Sequence, residues 1–168
     1  VRRRALLWLI PAFLALHNAE EALAFRRYLP LISRRLPAAV AARVDVTYPQ
    51  MLAALVIATV VPILLIAWVA RRPADPTRLW FAVLLQVVVM LNVVSHLAAA
   101  AFVMRGYSPG LATALSINLP FSIYLLRRAV RERWIGRSAL AMTVPAALLV
   151  HGPLLAGLIL LAASAGAG

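Results

Sequence analysis

The sequence predicts an all-α fold, a polytopic membrane helical bundle of about five transmembrane helices. A bilayer core is crossed by roughly twenty helical residues, and five apolar runs reach that length. The hydrophobic fraction of 64% and mean hydropathy of +0.93 lie well above soluble domains, which are roughly half apolar. The runs also lack the period-two alternation of membrane β-barrel strands. At 168 residues the chain reads as one integral membrane domain, residues 1–168.

The first span is placed at residues 5–25, beginning ALLWLIPAFLALHNAEEALAF. Arg2, Arg3 and Arg4 precede it, a signal-peptide-like start, but four more spans follow, so a retained signal-anchor is expected. Residues 26–43, rich in arginine, read as an interfacial amphipathic helix with Leu29, Ile32 and Leu36 on its apolar side. Further spans are expected at 50–70, 79–104, 109–127 and 138–163, with the tail SAGAG frayed. Trp8, Trp68, Trp80 and Trp134 fall near span ends, as in an aromatic belt.

The formal charge is +12, and all seventeen basic residues are arginines. They sit in short clusters between the apolar runs rather than along one face or tail, which points to membrane topology and excludes nucleic acid as a partner. The partner of the charge is the lipid bilayer. With five spans, one side carries eleven arginines and the other six, so the N-terminus is expected in the cytoplasm. Val1 reads as an alternative start codon, which suits a bacterial cytoplasmic membrane protein. The chain has no cysteine, which excludes disulfides, thiolate metal sites and cysteine nucleophiles.

Polar side chains inside the spans carry the chemistry. The first span has His17, Glu20 and Glu21; the third Gln86, Asn92 and His96; the fourth Asn118; the fifth His151. Counted at 1.5 Å per residue, His17, Glu21, Asn92, His96 and His151 fall near one level, with Asn118 about one turn away. His17 and Glu21, like Asn92 and His96, are four apart and share a helix face. An ionised acid at the bilayer centre costs roughly 2.5–3.5 kcal/mol, so the acids are expected to face inward and to be neutralised.

No arginine is buried in any span, and Arg127 only closes the fourth, which leaves protons or a metal ion. Imidazole and carboxylate without sulfur suit zinc, iron or manganese. Only two acids lie in the spans, too few for a carboxylate-rich two-metal site. The expected centre is therefore a single divalent metal held by His17, Glu21, His96 and His151. Glu20 is left as the catalytic base, and Asn92 and Asn118 are left to orient ligands or substrate. Taken singly, His151 reads as a histidine bonded to a carbonyl, and Asn92, Asn118 and Gln86 as interhelical glue. Two adjacent intramembrane acids resist that bland reading.

The stretch HNAEE, as His17-x-x-Glu20-Glu21 near the end of the first apolar run of a small multi-pass chain, resembles the HXXEE domain family of bacterial membrane proteins. The resemblance implies a membrane domain of unassigned activity and brings no catalytic role with it. Two function classes then stand open. One is a metal-dependent membrane enzyme, hydrolase or oxidase, acting on an amphiphilic small molecule. The other is a proton- or ion-coupled carrier, with an accessory membrane subunit as a further alternative. Substrate, metal identity and oligomeric state are not legible in the residues.

Overall fold

The computed structural model describes residues 2–35 and 47–154. Among these residues the fold is all-helical, with five helical rods and no strand. Helix α1 spans Arg3–Arg35 and α2 spans Tyr48–Ala70. Helix α3 is α-helical over Pro76–Ala98 and continues as a π-helix over Ala99–Met104. Helix α4 opens with Leu111–Thr113, widens into a π-helical turn at Ala114–Asn118, and resumes over Leu119–Arg131. Helix α5 covers Arg137–Leu149 and ends in a π-helical turn, Val150–Leu154.

Each helix begins or widens where the sequence gives cause. Asp75 caps α3, its carboxylate accepting from the Thr77 and Arg78 amides, with Pro76 in the first turn, where a missing N–H costs nothing. Thr47 donates its amide to Gln50 Oε1 at the start of α2. Pro120 follows one π-helical turn and Pro153 lies in another, as expected where a missing amide leaves the regular ladder unmade.

Two features differ from the sequence reading. Helix α1 does not break at residue 25 but continues through Arg35, so the first part of the expected interfacial helix is a continuation of the first rod. Arginine and leucine are good helix formers, and Arg35 donates to the Val103 and Met104 carbonyls at the end of α3, which anchors the extension. The remainder of that segment, 36–43, lies outside the described residues, as does the end of the fifth expected span beyond 154. Trp134 is not part of a surface belt. It is buried, with Arg3 stacked over its ring at 5.1 Å and its indole N–H donating to Glu132.

Helices α2 and α3 are long and apolar enough to cross a membrane. Helix α1 carries the HNAEE cluster within its apolar length, and α4 carries Arg127, Arg128 and Arg131 toward its end. One end of the bundle is an apolar core in which Leu7 and Ile10 of α1 meet Ile66 and Val69 of α2, Leu79 and Val83 of α3, and Leu125 of α4. Helix α5 packs on α3, with the Trp80 indole donating to the Ala139 carbonyl at 3.0 Å.

Helices α1 and α2 are joined differently. Ala15, Ala19 and Ala22 line a shallow groove against Leu52, Leu55 and Thr59, small side chains that let backbones approach. Asn18, which the sequence reading passed over, is buried here and donates to Thr59 Oγ1 at 2.8 Å. The Thr59 hydroxyl in turn donates to the Leu55 carbonyl. Interhelical bonds of this kind are worth on average ~0.6 kcal/mol in membrane proteins. Asn18→Leu and Thr59→Val should each lower unfolding free energy in detergent micelles by up to about 1.5 kcal/mol. The double variant should cost no more than the sum of the two.

Candidate metal centre

Toward the other end of the bundle the interior changes from apolar to polar. His17 on α1 and His96 on α3 face each other with ring centroids 4.7 Å apart in an edge-to-face arrangement. Both are buried, His17 with no exposed surface. Glu21, one turn beyond His17, reaches the same point: its carboxylate oxygens stand 3.9 Å from His17 Nε2 and 3.5 Å from His96 Nε2. Those separations exceed a direct hydrogen bond. One ligand atom from each of the three residues lies within 4.8 Å of the others.

Hydrogen bonds fix how these groups are presented. Glu20 lies against the start of α4. Its carboxylate accepts from the Ala112 amide at 3.1 Å, the Thr113 amide at 2.7 Å, the Thr113 hydroxyl at 2.5 Å and the Tyr107 hydroxyl at 2.5 Å. A carboxylate at a helix N-terminus satisfies amides that have no intrahelical partner. The free base expected at Glu20 is therefore a fully engaged side chain that joins α4 to α1. Tyr107 sits in the loop between α3 and α4. Burial first, and then the Glu20 carboxylate, push its hydroxyl above the usual tyrosine range, which keeps it a donor.

The Thr113 hydroxyl has one proton and gives it to Glu20, so at 2.9 Å from His17 Nδ1 it can only accept. His17 thus carries its proton on Nδ1 and turns the Nε2 lone pair toward His96 and Glu21. The Asn92 amide nitrogen lies 2.9 Å from His17 Nε2 and 3.1 Å from His96 Nε2. Its two hydrogens serve both rings.

Gly110 closes the cluster. It has φ of +82°, and a Cβ there would lie 2.7 Å from His17 Cε1, 2.8 Å from His96 Cε1 and 2.9 Å from Glu21 Cγ. The backbones of Pro109 and Gly110 lie against the two imidazoles. Glycine is needed here on both counts, conformation and space.

His17, Glu21 and His96 are thus brought together, with Asn92 between the rings. His151 is not in that group. Its Nε2 pairs with Ser95 Oγ at 2.9 Å, beside His96 in sequence but on a more exposed face of α3. Asn118 is buried and is not hydrogen-bonded to the three among the described residues. Its Nδ2 has no partner, and neither does Gln86 Oε1. Gln86 Nε2 meets Ser122 Oγ at 2.6 Å, one turn along α4 from Asn118. The leftover donor and acceptor are the kind of groups a buried water satisfies. Sequence reading missed Thr113, Tyr107 and Gly110. Only the Pro109–Gly110 pair before a helix offered a signal, as turn chemistry.

Gly110→Ala should dismantle the cluster rather than merely strain it. A left-handed alanine costs roughly 1–2 kcal/mol, and the three contacts add overpacking of about 1–3 kcal/mol. Loss of any cobalt(II) or zinc(II) binding, together with a lowered unfolding midpoint in detergent, is the expected result.

Comparison with known proteins follows the same residues. Nothing among the curated proteins or the solved structures matches the chain. The family model described as "Protein of unknown function with HXXEE motif" matches residues 8–125, a span that holds His17, Glu20, Glu21, Asn92, His96, Gly110 and Thr113 and ends before His151. With most of its length so matched, the chain belongs to the HXXEE family, whose name-giving histidine and glutamates are His17, Glu20 and Glu21 of α1.

Proposed function

We propose that the chain is an integral membrane protein holding one divalent cation between His17, Glu21 and His96, and that this centre serves a metal-dependent enzyme acting on an amphiphilic substrate. The observation that carries the proposal is the convergence of three ligand atoms from α1 and α3 within 4.8 Å. Ligands bonded to zinc at about 2.0–2.1 Å stand roughly 3.3 Å apart in a tetrahedron. The Glu21-to-imidazole separations of 3.5 and 3.9 Å are close to that spacing and too long for direct hydrogen bonds.

Membrane placement rests on the apolar runs and on large exposed side chains such as Leu23 and Phe102, 83% and 82% exposed, which suit lipid. The arginine asymmetry supports an N-terminus in the cytoplasm of a bacterium. In that orientation the centre lies slightly toward the outer leaflet, and substrate reaches it laterally or from the outer face.

The chemistry depends on the metal. Zinc with an open position lowers the pKa of bound water to about 7 and permits attack on an ester or amide. Iron held by imidazole and carboxylate with open positions permits oxidation instead. Four donors occupy Glu20, so we assign it to orienting His17 through Thr113, a carboxylate–histidine arrangement of the kind that tunes metal ligands.

A second reading has one observation in its favour. A continuous hydrogen-bonded chain runs from Tyr107 through Glu20, Thr113, His17 and Asn92 to His96, and such chains relay protons in carriers. Proton flux in proteoliposomes that vanishes in Thr113→Val would favour a carrier; no flux from the wild-type protein would remove that reading.

The metal proposal is tested on detergent-purified protein by elemental analysis. Roughly one equivalent of zinc, iron or manganese per chain is expected for a single site. His17→Ala and Glu21→Ala should lose it, and His151→Ala should keep it. Equal and negligible metal in all four proteins would overturn the proposal.

A further inference from the structure

We infer that Asn92 is the fourth corner of this centre and its gate: nitrogen inward, the side-chain amide bridges the two imidazoles; oxygen inward, it ligates the cation. The inference rests on the metal reading above and adds a ligand to it. Asn92 reaches the ring nitrogens at 2.9 and 3.1 Å, and Glu21 reaches them at 3.9 and 3.5 Å. These four separations bracket the roughly 3.3 Å edge of a tetrahedron with bonds of about 2.0–2.1 Å. His151 does not fill that corner in this arrangement: it stands outside the three-residue group, with its Nε2 paired to Ser95.

The two ends of an amide are nearly equal in size, so a half-turn about χ2 exchanges nitrogen for oxygen and leaves the ring distances almost unchanged. The two orientations differ in what they tolerate. With nitrogen inward, both Nε2 lone pairs are used as acceptors, and a cation that needs the same lone pairs is excluded. With oxygen inward, an acceptor faces two further acceptors at hydrogen-bond distance. That arrangement is repulsive unless a cation lies between them. Cation entry and amide rotation are therefore one event.

Thr113 and Glu20 contribute to the same device. They hold the His17 proton on Nδ1, so rotation of Asn92 cannot be answered by moving that proton to Nε2. A neutral amide oxygen is also the weakest donor of the four. It is the corner that water or a substrate oxygen would displace, which reconciles a four-sided cage with an open coordination position.

The absence of cysteine from the sequence allows a direct test with cobalt(II) as the probe. Cysteine is one atom shorter than asparagine, but metal–sulfur bonds of about 2.3 Å recover most of the reach. The cobalt(II)-loaded Asn92→Cys protein should show a thiolate-to-cobalt charge-transfer band in the near ultraviolet. His151→Cys should bind cobalt(II) without that band. A band in His151→Cys and none in Asn92→Cys would overturn the assignment, as would no band in either. Failure of wild-type protein to bind cobalt(II) would instead count against the metal reading itself, which keeps the two distinguishable. Should Asn92→Cys not fold, Asn92→Asp replaces it. A carboxylate at that corner removes the blocking N–H groups and adds a charged ligand, so cobalt(II) should bind tighter by about tenfold or more. Unchanged or weaker affinity would overturn the assignment.

Discussion

Polar side chains withdrawn from water must find partners inside the protein, and in this chain two buried imidazoles lie beside two half-buried carboxylates. The arrangement of α1, α3 and α4 follows from that requirement. Glu20 is satisfied by the first amides of α4, so that helix must begin opposite the middle of α1. His17 is satisfied on one side by Thr113 of α4 and on the other by Asn92 of α3. The three helices therefore meet at one level. The loop that joins α3 to α4 has to pass directly over the cluster, at the glycine where no side chain fits.

The bundle divides its labour along its length. At the end where the chain enters, Leu7, Ile66, Val83 and Leu125 form a conventional apolar core. Exposed partners at that end, Arg128 with Glu132 at 2.6 Å and Arg3 with Glu132 at 3.9 Å, contribute little individually. On the proposed membrane placement, the hydrophobic effect does not distinguish helix contacts from lipid contacts, and the polar half supplies the specificity. The Asn18–Thr59 bond fixes α1 on α2, and the centre fixes α1 on α3 and α4. Neighbouring residues of one short motif, His17, Asn18, Glu20 and Glu21, thus reach three different helices.

Much of this was legible in the residues. The all-helical class follows from the length and period of the apolar runs, and the pairing of His17 with Glu21 and of Asn92 with His96 follows from their i, i+4 spacing. That His17, Glu21 and His96 share a level was readable by counting residues from the helix ends. What counting along a helix does not give is azimuth. His151 pairs with Ser95, next to His96 in sequence but exposed where His96 is buried, and stays outside the three-residue group. Asn118 is buried, but its amide nitrogen has no hydrogen-bond partner. Glu20 and Glu21, adjacent in sequence, point about 100° apart on a helix, so one enters the centre while the other is taken by α4. Thr113, Tyr107 and Gly110 were invisible for a different reason. Their roles depend on where a loop crosses the cluster, and no periodicity encodes that. The extension of α1 through Arg35 was missed because an arginine-rich segment suits an interfacial helix as well as a long one.

The proposed centre requires imidazole nitrogens from α1 and α3 to share one cation. X-ray absorption fine structure at the zinc edge of the loaded, detergent-purified protein measures this most directly. Two imidazole ligands at about 2.0–2.1 Å, with the remaining first-shell scatterers oxygen at about 2.0–2.2 Å, are expected. A first shell without imidazole, or with the six oxygens of a hydrated ion, would contradict it.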